Sequence, residues 1–137
     1  MTKLEELEQE IYDSEIEFFD KNLNASPATI EINGNFSIFA DRRRFETQDE
    51  YFCALAHEYG HCQTGTTHRL QSTLFTKGYC ENAANKYLVH KYVPLEDLDE
   101  AARNGNYEIF DIADYLALPP QMIVLAIEVY KREGKIQ

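Results

Sequence analysis

A length of 137 residues fits one compact domain, and 44% hydrophobic with 12% aromatic residues is enough to bury a real core. A net charge of −11 opposes binding to nucleic acid and to anionic membrane, and favours basic partners. No apolar run approaches the roughly 18 residues of a membrane span, and the polar start Met1–Glu6 lacks the basic end and apolar core of a signal peptide, so the expected location is cytoplasmic.

Leu4, Leu7 and Ile11 recur at helical spacing and predict a first helix over about Thr2 to Tyr12, stopped by Asp13-Ser14. Glu15 to Phe19 alternates as a short strand, and Asp20 to Pro27 reads as a loop. Thr29–Ile32 and Phe36–Phe39 flank Asn33-Gly34, a pair that tolerates positive φ and so signals a hairpin. Three strands are expected, at least two of them antiparallel. The basic triplet Arg42–Arg44 after Asp41 reads as a solvated turn with local ion pairs.

Thr47-x-x-Glu50 matches a capping box and opens a helix through Thr64, with Phe52, Leu55, Ala56 and Tyr59 toward the core. Gly60 weakens that helix by about 1 kcal/mol relative to Ala, so close approach by another backbone is expected there. Gln63 to Thr76 is a polar loop. Lys77 to Val93 is helical, with Tyr79, Ala83, Tyr87 and Leu88 on its packed side. Helices follow from Pro94 to Arg103, Tyr107 to Ala117 and Pro119 to Arg132, bounded by Asn104-Gly105 and Gly134. This order predicts an α+β domain with a catalytic core over 1–93 and a helical subdomain over 94–137 packed on it. Cys53, Cys62 and Cys80 are expected to be reduced, apolar fillers.

His57-Glu58-Tyr59-Gly60-His61 reads HExxH inside the second helix. Residues four apart share a helix face, so both imidazoles can meet one ion. Neutral imidazole suits Zn²⁺, and Glu58 projects beside the metal, where it can take a proton from water. A catalytic zinc needs a third protein ligand and one open position. Glu81 on the next helix is the candidate, and Asn85 lies on the same face four residues on. The pair resembles the Glu-x-x-x-Asp of zinc proteases, with Asn85 orienting His57 through its side-chain oxygen. Two neutral imidazoles and one carboxylate leave such a site at +1, so it keeps Lewis acidity.

Leu55–His61, then Glu81-Asn82-Ala83-Ala84-Asn85-Lys86-Tyr87-Leu88 and Val93-Pro94, resemble the paired motifs of ImmA/IrrE-family metallopeptidases. The later Ile112–Leu116, Pro119 and Ala126 resemble that family's closing helix pair, so the similarity runs over most of the chain. Ala83 stands where the family often has an acidic residue, and Lys91-Tyr92-Val93 replaces a more apolar run. The resemblance implies a gluzincin-like fold, with His57, His61 and Glu81 as metal ligands and Glu58 as general base. It also implies cleavage of a helix-turn-helix repressor encoded on a phage or mobile element.

Tyr79, His68 and His90 are oxyanion-donor candidates by residue type alone. An extended substrate is expected to pair with an exposed strand edge near Phe36 to Ala40. One rival reading is a module that grips a repressor without cleaving it, which has no need of Glu58. A second is DNA binding through Ile109 to Val129, whose spacing resembles a helix-turn-helix. From Val93 onward nine acidic and four basic residues leave a net of −5, the wrong sign for phosphate contact.

Overall fold

In the computed structural model, residues 1–20, 27–32, 34–65 and 74–136 are described, without the side chains of Ile32 and of residues 74–80. The first helix, α1 (Lys3–Asp13), starts at Thr2, whose hydroxyl accepts the Glu5 N–H at 3.1 Å. Glu5 Oε1 reaches back to the Thr2 N–H at 3.3 Å and completes a capping box that the sequence reading did not name. Leu4, Leu7 and Ile11 are buried, as their spacing predicts. Ser14 caps the helix, and Glu15 then takes a left-handed φ of 65° to turn the chain. That conformation costs a residue with a Cβ roughly 1–2 kcal/mol.

β1 (Glu17–Phe19), β2 (Ala28–Ile32) and β3 (Asn35–Phe39) form one sheet in the order β1-β3-β2. β2 and β3 are the expected antiparallel hairpin, with Gly34 at φ 82° in the turn; Asn33 lies outside the described residues. β1 pairs with β3 in parallel. The strand edge expected near Phe36 to Ala40 is therefore not an edge, because β3 is bonded on both sides and the outer strands are β1 and β2. A hairpin turn specifies only the pairing it closes. The partner on the far side of β3 arrives through the turn after α1.

Phe18, Ile38 and Thr29 stand side by side across the sheet, and Ile38 and Thr29 are buried. Phe19 and Phe39 stack at 4.8 Å in the neighbouring row. After the sheet, Asp41 is buried, accepting from the Arg43 N–H at 3.0 Å and from its guanidinium at 2.9 Å. The Arg43 hydrogen bond holds the Asp41 carboxyl below the usual carboxylate range. Arg43 with Asp41 is the expected local ion pair, whereas Arg42 pairs at 3.2 Å with the distant Glu8 of α1.

α2 (Gln48–Thr64) begins at Thr47, whose hydroxyl accepts the Glu50 N–H at 3.1 Å, the N-cap half of the expected box. Phe52, Leu55, Ala56 and Tyr59 are all buried, and Gly65 closes the helix at φ 66°. α3 (Leu74–Tyr92) follows, and residues 66–73 between them lie outside the described set. Among the described side chains of α3, the most buried are Ala84, Leu88 and Val89. Ala83 and Tyr87, expected on the packed side, are only half-buried. Leu88 is buried as expected, and Ala84 rather than Ala83 faces α2, where Gly60 admits its backbone.

α4 (Leu95–Arg103), α5 (Ile109–Leu116) and α6 (Pro120–Arg132) match the expected C-terminal helices. The chain divides into two compact units, Met1–Ala84 and Asn85–Gln137, with the division inside α3; the sequence reading sets it at the end of that helix. The second unit has an apolar core that includes Val89, Ile112, Met122, Ile123 and Ala126. Tyr130 donates its hydroxyl to the Val93 carbonyl at 2.7 Å. Among the described residues, six α-helices and one small mixed sheet make this an α+β fold, and no single helix there is long and apolar enough to cross a membrane.

Candidate metal centre

The four-residue spacing on α2 brings His57 and His61 together, with their Nε2 atoms 3.1 Å apart and their rings edge to face. Glu81 reaches them from α3. Its Oε1 lies 3.2 Å from His61 Nε2 and its Oε2 lies 2.6 Å from His57 Nε2. The three donor groups lie within 4.8 Å of one another and could hold a metal ion.

Gly60 explains how α3 comes so near. A Cβ there would stand 2.8 Å from the Ala84 carbonyl oxygen and 3.3 Å from the Ala84 Cα. Real Cβ atoms do not approach backbone oxygen so closely, so only glycine lets the two helices meet at this level. The expected close approach is present, with Gly60 directly before His61 and Ala84 three residues after Glu81.

The three donor groups are close enough together to hold one cation. At zinc bond lengths of about 2.0–2.1 Å, ligand atoms stand about 3.3 Å apart. The imidazole nitrogens, 3.1 Å apart, and His61 Nε2 with Glu81 Oε1, 3.2 Å apart, come within a few tenths of an ångström of that. The contact with His57 is made by the other Glu81 oxygen, Oε2, and has hydrogen-bond length. Glu81 is the most exposed of the three side chains, at 41%, and His61 the least, at 2%. The site is thus anchored at His61 and open at Glu81. It faces a cleft of about 470 Å³ whose walls include Thr29 and Ile30 of β2, Ala54, and Glu58.

Glu58 is buried, with 7% of its surface exposed. A carboxylate in that setting needs hydrogen bonds or a nearby cation. Thr29 Oγ1 lies 2.9 Å from Glu58 Oε2 and donates to it. Sequence reasoning passed over Thr29. Strand alternation sets it on the same side as the exposed Glu31 and opposite the apolar Ala28 and Ile30, yet Thr29 is buried while those three are exposed.

Of the remaining candidates, Asn85 stands one turn after Glu81 on α3, half-buried, in the second unit. His90 is held by Glu133 at 2.9 Å within that unit. His68 and the side chains of Tyr79 and Cys80 lie outside the described residues. Cys62 is buried and Cys53 half-buried, and burial pushes both thiols up to about 12. Both therefore stay protonated near neutral pH, as the filler reading expects. Comparisons with protein-family models, with curated proteins and with solved structures find no match for this chain.

Proposed function

We propose that this chain is a zinc-dependent endopeptidase and that its substrate is a helix-turn-helix repressor. The observation that carries the reading is the convergence of His57, His61 and Glu81 beside a buried Glu58 on one cleft. Two imidazoles and a carboxylate are a donor set of the kind catalytic zinc sites use, with a position left for water or substrate. A Zn²⁺ held there would supply Lewis acidity, polarising the scissile carbonyl and making water easier to ionise.

The protein's own groups account for the rest. His57 and His61 offer neutral nitrogen lone pairs, and Glu81 brings one negative charge. Glu58 takes a proton from the attacking water and returns it to the leaving amine nitrogen. The water oxygen ends on the carbonyl carbon as the C–N bond breaks. β2 is an outer strand lining the cleft, so an extended peptide can align along it by strand addition. This replaces the edge first expected on β3. The repressor assignment draws on the motif resemblance, and the −11 charge supports it by favouring a basic partner.

The test is incubation of the zinc-loaded chain with purified helix-turn-helix repressors, read by metal analysis and mass spectrometry. One zinc per chain and paired fragments are expected. A repressor that leaves its DNA uncut would favour the gripping module over the peptidase. Tight duplex binding by this chain alone would revive the DNA-binding reading.

A further inference from the structure

HExxH geometry sets where the Cβ of Glu58 lies, but a glutamate has three further torsions before its carboxylate. A proton-transfer group must come within about 2.6–3.2 Å of the proton it takes. Something other than the helix has to set those torsions. We infer that Thr29 is the positioning residue that holds the Glu58 carboxylate in the cleft, an inference that rests on the peptidase reading above.

Three observations converge on Thr29. Its hydroxyl lies 2.9 Å from Glu58 Oε2 and 3.1 Å from the Glu58 main-chain oxygen, so its single proton goes to the carboxylate, the nearer and charged acceptor, with the carbonyl sharing it at most as a second, longer contact. Both partners are buried, at 8% for Thr29 and 7% for Glu58. Bonds to a carboxylate are worth most where water is excluded. Finally, Thr29 is the inward residue between two exposed apolar neighbours of β2, Ala28 and Ile30, at a position where an apolar residue would pack at no polar cost.

The tie has a second consequence. Thr29 belongs to the outer strand along which an extended peptide can align, and Glu58 belongs to the ligand helix. One hydroxyl therefore fixes the register between a strand-bound peptide and the base. Loss of that tie should slow the chemical step more than it weakens binding of peptide or metal.

The test compares Thr29→Val, which keeps the shape and removes the hydroxyl, with Thr29→Ser, which keeps the hydroxyl. Zinc-loaded proteins are assayed on unfolded casein. Thr29→Val is expected to lower kcat about 10- to 100-fold, the range for supporting partners at a metal site. KM and zinc affinity should stay near wild type, and Thr29→Ser should recover most of kcat. An activity-free reading comes from urea unfolding of Thr29→Val, Glu58→Ala and the double variant. Their destabilisations should fall short of additive by at least about threefold in the unfolding equilibrium constant, as for groups in contact. Wild-type kcat in Thr29→Val, no recovery in Thr29→Ser, or strict additivity would each overturn the inference and leave the peptidase standing. A wild-type chain that binds zinc but cuts nothing would remove the peptidase reading, and the positioning role with it.

Discussion

The two compact units bury different chemistry. Among the described residues, the buried polar and charged side chains are Thr29, Asp41, Glu58 and His61, all in Met1–Ala84. The second unit encloses aliphatic side chains and Tyr130, whose hydroxyl is satisfied by a carbonyl. An apolar core is the cheaper way to hold helices together, since every buried polar group needs a partner. In the first unit Asp41 has Arg43, away from the cleft, and the other three have partners that line the cleft. Glu58 is bonded by Thr29 and His61 by Glu81, around the same cleft. The difference teaches that α2 is placed to hold a constellation and α4–α6 are placed to pack.

The largest expected effect would break the constellation outright. A His57→Ala, His61→Ala double variant should lose bound zinc, measured per chain by metal analysis, and all cleavage with it. Full zinc occupancy in that variant would sink the ligand assignment. Next, Glu58→Gln should keep zinc and fold but lose at least about 10²-fold in cleavage rate, since Gln has the shape without the basic oxygen. An unchanged rate would mean Glu58 is not the base.

Two core substitutions sharpen the contrast between the units. Ile123 is fully buried in the second unit, so Ile123→Ala should cost about 2–5 kcal/mol in urea unfolding. The folded variant should bind zinc as the wild type does. Gly60→Ala in the first unit should cost about 1–3 kcal/mol by overpacking, partly offset by alanine's helix propensity. Its mark should be weaker zinc binding, because the new Cβ meets the backbone of the helix that carries Glu81. If zinc affinity falls in Ile123→Ala and holds in Gly60→Ala, the division of labour is wrong.

The smallest effect lies on the surface of the second unit. The hydrogen bond from His90 holds the Glu133 carboxyl below its ordinary value, with Lys86 adding to it. A lowered folded pKa means this stabilisation is present above the unfolded carboxylate pKa and is lost as pH falls through the folded one. At neutral pH Glu133→Gln should therefore cost no more than about 1 kcal/mol in urea unfolding, as exposed pairs do. The difference between variant and wild type should vanish in acid. A difference that grows on acidification would reverse the sign of the argument.

Much of this was legible in the residues because it depends on spacing along a few turns of backbone. Leu4, Leu7 and Ile11 predict a buried stripe, Asn33-Gly34 a hairpin, and His57 with His61 a shared face. Gly60, costly inside a helix, predicts a close neighbour, and Ala84 is that neighbour. The readings that changed concern distant partners. Ala83 fits a helical stripe as well as Ala84 does, and only the backbone met at Gly60 chooses between them. The outer strand is β2 because a parallel strand from the N-terminus takes the other side of β3.

By itself the sequence determined the helices, the hairpin, the pair of histidines with their neighbouring glutamate, and the glycine that lets a second helix approach. Those follow from the 3.6-residue turn, the two-residue pleat and local steric limits. Only the tertiary structure decided that Glu81 reaches both imidazoles, that β2 borders the cleft, and that Thr29 grips Glu58 from the sheet. Each joins residues about 20 or more positions apart. Closing such a loop costs backbone entropy that no local pattern records, and it is the packed core that offsets it.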